Sequence, residues 1–471
     1  MMKTEITQAS LPASWTVTEL GDVLERITNG LTCVQEKEPP GIPITRIETI
    51  SNGFVDFERV RYVRELEESK KERFLLRRGD ILFSHINSDL HLGKTAVVTS
   101  HKRLLHGMNL LLLRTKRELL DPYYLHYLLN FYRRNGTFMK IAQHAVNQSS
   151  LNQKKINSLK IPLAPLNQQK RIVAEIEKQF SRLDEAVAIL KHVKANLKRY
   201  KAAVLKAAVK GRLVETEAER ARREGRSFET GEQLLQRILE TRCSQWKGKG
   251  KYKELVAPDT TDLPKLPEGW VWASVSDLLR EPLRNGHSAK ATTDPNGLRA
   301  FTLSAVTEGD FSEANTKRTV ANPAKVADLW AMPGDIYVER SNTPELVGTA
   351  SLYSGPEKFA FIPDLLIRIR VCQLVVPRYV ELALQSDFGR RYFKGRAQGI
   401  SGTMPKIDQA AIEAYPILLP PLTEQYRIVA EIDRRFSLMS KIEAQMDANL
   451  QHADILRQSI LHSSFVCKAN I

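Results

Sequence analysis

The stretch PLNQQKRIVAEIEKQFS at 165–181 returns as PLTEQYRIVAEIDRRFS at 421–437, with the same residue at 11 of 17 positions. Unrelated segments of ordinary composition agree at only roughly one position in sixteen. The chain is therefore a duplication. With one residue of slippage the same offset relates LPASW (11–15) to LPEGW (266–270) and RGDILF (78–83) to PGDIYV (333–338). It also relates DPYYLHYLL (121–129) to VPRYVELAL (376–384), and Phe138 to Phe393. Each copy runs to about 200 residues, far above the period of about 20–50 of a solenoid repeat. Two similar modules follow, each with its own core and joined by residues 213–265.

At 471 residues, the chain exceeds what one hydrophobic core organises. No signal-peptide core opens it and no run of about 18 apolar residues interrupts it, so a soluble cytoplasmic protein with no membrane partner is expected. Cys33, Cys243, Cys372 and Cys467 are far apart and form no CxxC pair, which leaves neither a zinc framework nor a disulfide scaffold. The formal charge is +16. Such an excess points to a polyanionic partner, because cationic side chains displace counterions condensed on nucleic acid; a generally basic solvated surface is the alternative.

Within each copy the pattern changes from front to back. Short apolar runs such as ILF (81–83), TAVVT (95–99) and LLLLR (110–114) lie between Gly, Asn, Ser and Pro clusters, as strands between loops do, and predict an α/β or α+β domain. Proline closes it at IPLAPL (161–166) and ILLPPL (417–422). A long helix follows. Ile176, Phe180, Leu183, Val187, Leu190 and Leu197 make a narrow seam of coiled-coil spacing, answered in the second copy by Ile432, Phe436, Met439, Met446, Leu456 and Ile460. Fully helical, residues 166–210 extend about 65 Å. Antiparallel pairing of the two helices would relate the front domains by an approximate two-fold axis; packing of each helix on its own front domain is the alternative.

The segment 191–212 holds eight Lys or Arg and no acid, which suits phosphates, an acidic protein surface or a bare solvated face. Residues 213–265, with a helical EQLLQRILETR (232–242) and a basic KGKGKYK (247–253), read as a tether. Catalytic signatures are missing. GKT (93–95) has Ser88 where a phosphate-binding loop needs glycine, and DPYY (121–124) lacks the second proline of an amino-methyltransferase motif and reads as a helix start with Pro122 in its first turn. No HExxH or GxSxG is present.

The two PLxxQxRIVAEI segments, LPKLPEGW (263–270) and the two GDI segments together resemble type I restriction-modification specificity subunits over nearly the whole chain. The resemblance implies an α/β (α+β) fold with two globular target recognition domains separated by two long antiparallel coiled-coil helices, an internal pseudo-two-fold repeat. Its boundaries here are 1–165, the first recognition domain; 166–212, the central helix; 213–265, a linker with a short helix; 266–420, the second recognition domain; and 421–471, the C-terminal helix. It implies a non-catalytic subunit that reads a bipartite double-stranded DNA target, one domain per half. Two modification subunits and two restriction subunits would be its partners. S-adenosylmethionine, ATP and Mg2+ would belong to them, with no cofactor, catalytic residue or metal on this chain. A self-contained DNA-modifying enzyme and a non-specific two-headed scaffold are the alternatives.

The family segment after GDI maps onto His85, Asn87 and Lys94 in the first copy and Arg340 and Asn342 in the second. Arg340 and Lys94 suit phosphate or guanine, and the asparagines suit adenine edges or turns; His85 departs from the family arginine. A second candidate loop holds Asn147, Gln148, Ser149 and Ser150, answered by Ser401, Gly402 and Thr403. Arg171 and Arg427 are expected to pair locally with Glu175 and Glu431 or to meet a partner subunit, and Trp15 and Trp270 to anchor cores.

Overall fold

Apolar triplets too short to stand alone form the centre of each half. The structure, a computed structural model, describes residues 11–146, 148–245, 265–399 and 404–466, and divides into two units. Unit 1 takes residues 1–192 and 445–471, and unit 2 takes 193–444.

In unit 1, strands Leu24–Asn29, Leu111–Thr115, Ile81–Phe83 and Thr95–Val97 form an antiparallel sheet in that spatial order. Leu82 stands opposite Leu112 and Ala96 in the register. Because side chains alternate along a strand, Ile81, Phe83, Leu111 and Leu113 enter one core with helix Pro122–Arg134. Leu82, Ala96 and Leu112 enter a second core with Ile50 and Leu104. Both faces are covered. That is why these strands read as unbroken apolar runs although the sheet is antiparallel.

Unit 2 repeats the order with strands Arg284–Asn285, Leu366–Ile369, Ile336–Glu339 and Ala350–Leu352. Ile336, Val338, Ile367 and Ile369 face one core, and Tyr337 and Leu366 the other. The proline-rich ends return to the start of each front domain: Lys160–Leu163 pairs with Thr16–Glu19, and Pro416–Leu419 with Val271–Ser274. Tyr124 Oη donates to the Pro162 carbonyl at 2.9 Å, and Tyr379 Oη to that of Leu418 at 2.7 Å. Pro122 opens its helix, with Asp121 accepting from the Tyr123 and Tyr124 amides.

The long helices are Leu166–Ala208 and Leu422–Phe465. In unit 1, Ile176 is buried and Phe180 and Ile460 lie against the core that also takes Leu461 and Phe465. Leu183, Val187 and Leu190 are half-buried in unit 1, and Leu197 in unit 2. In unit 2, Ile432 and Met439 are buried and Phe436 packs at the core edge. Met446, in unit 1, is buried. Leu456 departs from expectation. It is exposed, and Ala453, seven residues after Met446, is buried instead. An alanine carries too little apolar surface to stand out in a hydrophobic pattern.

The tether reading also needs correction for its first half. Residues 217–224 and 231–244 are helices, each opened by a reciprocal capping box from Thr216 and Thr230. Leu234 and Ile238 are fully buried in the core of unit 2, and Ala218 and Ala221 are buried as well. The basic run 247–253 lies outside the described residues. Among the described residues no helix is long and apolar enough to cross a membrane, and no cluster of metal-ligating side chains is found.

Candidate nucleic-acid interface

Each GDI turn is built around its aspartate. Gly79 and Gly334 adopt φ of 90° and 92°, a left-handed turn that glycine enters without the Cβ penalty. Asp80 then accepts from the Arg77 amide at 2.7 Å and holds Arg114 through two bonds of 2.7 and 2.8 Å. Asp335 accepts from the Met332 amide and holds Arg370 at 2.5 and 3.0 Å. These arginines end LLLLR and RIR, a pattern that marks a buried strand closed by one charge; their pairing with the GDI aspartate was missed from sequence.

From that anchor the central strand runs outward to the candidate residues. Ile86–Asn87 pairs with Gln148–Ser150, which pairs with Gln143–Ala145. The two candidate segments of unit 1 are thus one small sheet. In unit 2, the Arg340 carbonyl accepts from the Ile407 amide, as the His85 carbonyl accepts from that of Leu151. Ser341 bridges to Lys406, and Lys406 to Gln398, so the same strand order recurs there. Asn147, Ser401, Gly402 and Thr403 lie outside the described residues.

The side chains separate into supports and exposed groups. His85 is buried, and burial lowers its imidazole to about 4, so it is neutral near pH 7 and has little surface to offer DNA. Asn87 Nδ2 donates to Ser84 Oγ while its Oδ1 accepts from the Ser88 amide. Asn342 bonds Glu339 and the Thr343 amide in the same manner. Both asparagines therefore make turns. Lys94 Nζ donates to the Ser51 carbonyl at 2.9 Å, and partial burial lowers its pKa. Ser149 is buried between Asp89, to which it donates at 2.5 Å, and His144 Nδ1 at 2.7 Å. Arg340 is half-buried.

Gln148 and His144 are exposed, as are Leu90 (76%) and Val146 (92%), which flank the same small sheet. In unit 2, Gln398, Met404 and Lys406 are exposed. The loop beside each edge is held by an arginine from different positions: Arg133 donates to the Leu90 carbonyl at 3.5 Å, and Arg390 to those of Glu345 and Val347. His144, Leu90, Val146 and Arg390 were not singled out in the sequence. A histidine five residues before Ser149 was the only signal.

The duplicated helix start explains itself in the same detail. Trp15 Nε1 donates to Gln168 Oε1 at 2.9 Å, and Trp270 Nε1 to Glu424 Oε1 at 3.1 Å. Gln169 joins the Asp121 amide to the Leu119 and Ala164 carbonyls. Gln425 joins the Val376 amide to the Pro420 carbonyl. Arg427 does not pair with Glu431; it reaches Glu217 on helix Glu217–Glu224, while Glu431 holds Arg434 and Arg435. Glu175 pairs with Lys178, and Arg171 is exposed.

Glu424 has no exposed surface, and burial pushes its carboxyl up to about 7, opposed by bonds from the Glu217 amide and Trp270. Between about pH 4.5 and 7 the folded chain keeps a proton there that the unfolded chain has released. Stability from this group is full below pH 4.5 and is lost as pH rises through about 7, by roughly 3 kcal/mol. Glu424→Gln, which installs the residue that Gln168 supplies in the first copy, is expected to flatten that slope. Melting temperatures of both chains at pH 5 and pH 8 check this; an unchanged slope would assign the pH dependence elsewhere.

One sheet order and one long following helix therefore recur in both units, a two-unit α+β class. Residues 12–199 match the family model for the type I restriction modification DNA specificity domain. A putative type I restriction enzyme MjaX specificity subunit from Methanocaldococcus jannaschii is 46% identical over 199 residues, 41% of this chain and 46% of that protein. The match therefore spans less than half of that relative. The type I restriction enzyme EcoKI specificity subunit of Escherichia coli is 23% identical over 97% of this chain and 89% of its own length. A solved structure described as the basis of complex assembly and conformational transition of the type I R-M system shares the fold, with a TM-score of 0.62, 18% identity, and coverage of 97% and 98% of the two chains. Residues 12–199 thus match the type I specificity-domain model, and over nearly its whole length the chain is similar to a type I restriction enzyme specificity subunit.

Proposed function

We propose that this chain is the non-catalytic, sequence-reading subunit of a type I restriction-modification complex, in which each front domain reads one half of a bipartite DNA target. The observation that carries the reading is the duplication of one sheet, in one strand order, with the same polar edge in both units. Two readers on one chain suit a split target. The charge of +16 supplies phosphate attraction common to any sequence. The exposed groups at the edges, Gln148 in one unit and Lys406 and Gln398 in the other, supply donors and acceptors for base edges.

The long helices would pair antiparallel and set the unspecified spacer. Supporting contacts occur inside each unit: Asp184 with Arg457, whose guanidinium lies 5.1 Å from the Phe180 ring centre, in unit 1, and Lys201 with Glu443 at 2.9 Å in unit 2. Two modification subunits would dock on them, with two restriction subunits completing the nuclease. S-adenosylmethionine, ATP and Mg2+ would be held by those partners in that chemistry.

The test is co-expression with the neighbouring modification subunit in a methylation-free host, with modified adenines mapped across the genome. A split motif that vanishes when this chain is omitted is the expected result. Exchanging residues 1–160 for those of a relative should alter one half of the motif only. Methylation independent of the chain, or equal affinity for all sequences where about 4–10 kcal/mol of discrimination is expected, would favour the scaffold reading.

A further inference from the structure

Unit 2 contains a cavity of about 640 Å³, whose lining includes Arg390, the arginine that holds the loop beside the candidate edge. Its size lies within the range of small-molecule sites, about 300–1,000 Å³. Helix Leu166–Ala208 and the turn after it bring Lys206, Lys210 and Arg212 to the lining, and Lys265 and Arg391 join them. Among the described residues none of these five cations has a carboxylate within ion-pair distance, and the lining includes one acid, Asp387. The rest of the lining is partly apolar. Trp272, on strand Val271–Ser274, and Phe388, on helix Asp387–Arg396, line the cavity half-exposed, with Ile417 and Leu418 beside them.

Unpaired cations held together repel one another and favour a ligand that carries several negative charges. A single small anion leaves most of such a volume and all of its aromatic wall unused. A ligand with a flat aromatic part against Trp272 and Phe388 and a chain of phosphates toward the lysines satisfies both. We propose that this cavity is a binding site for a nucleoside polyphosphate.

The test is calorimetric titration of the full chain, without DNA, with ATP, adenosine, inorganic tripolyphosphate and poly-glutamate. ATP is expected to bind more tightly than either of its parts. Lys210→Glu with Arg391→Glu should weaken ATP at least about tenfold, and Trp272→Leu should weaken ATP but leave tripolyphosphate unchanged. Thermal melting of each variant separates loss of site from loss of fold, and Lys206→Glu, at an exposed position, gives a second charge reversal. Equal binding of ATP and tripolyphosphate would reduce the site to an anion trap and overturn the proposal. So would tighter binding of poly-glutamate, which would point to an acidic protein, or the absence of binding by any of the four.

Discussion

Replacing Asp80 by alanine is expected to destabilise unit 1 by about 3–5 kcal/mol, the cost of leaving a buried charge without its partner. Asp80 and Arg114 are 1% and 7% exposed, so water cannot substitute for the carboxylate. The damage lands where Leu111–Thr115 and Ile81–Phe83 pair, at the centre of the sheet. Asp80→Ala combined with Arg114→Met should recover most of the loss, since an apolar replacement of the whole pair removes the orphan. In unit 2 the same substitution at Asp335 should cost less, about 1–3 kcal/mol. Arg370 there retains Glu281 at 3.2 Å, and the loss falls on the Tyr337 hydroxyl and the Met332 amide. Amide hydrogen exchange of residues 81–83 and 336–339 measures the two units separately. Equal losses in both would show that Glu281 does not shield Arg370.

The sequence disclosed whatever repeats or obeys a period. The duplication, the apolar strand triplets, the helix start at Pro122 and the buried positions Ile176, Ile432, Met439 and Met446 all follow from spacing and composition. What it hid depends on long-range partners. Asp80 and Arg114 are 34 residues apart, and nothing local tells an aspartate in a turn that it will meet a strand arginine. Arg427 likewise had a suitable acid at Glu431, yet Glu217 on a helix 210 residues earlier takes it. At the candidate edge the residue types suit DNA contact chemically, while their side chains make bonds within the unit: Asn87 and Asn342 close turns, Lys94 caps a carbonyl, and His85 is buried. Placement of a polar residue in a chemically suggestive motif does not say which way its hydrogen bonds run.

Gly348→Ala is expected to destabilise unit 2 by about 2–4 kcal/mol, more than a substitution at a turn glycine facing solvent such as Gly53. Two costs add. Gly348 has φ of 76°, where a Cβ is strained, and an added Cβ would lie 2.5 Å from Phe393 Cβ. Phe393 cannot relieve that contact by changing rotamer, because its own Cβ does not move when the ring turns. Gly93 in unit 1 has the same φ of 76° and the same aromatic neighbour, but the close atom is Phe138 Cδ2 at 2.3 Å, on the ring. Truncating the ring should therefore uncouple the two positions in one unit and not in the other. In double-mutant cycles, Gly93→Ala with Phe138→Ala should show a coupling of about 1–3 kcal/mol, since the ring that clashes is gone. Gly348→Ala with Phe393→Ala should show a smaller one, because the offending Cβ remains. Similar coupling in both units, measured by segment-resolved exchange, would mean that the backbone at Gly348 shifts to make room and that the strain resides in φ alone.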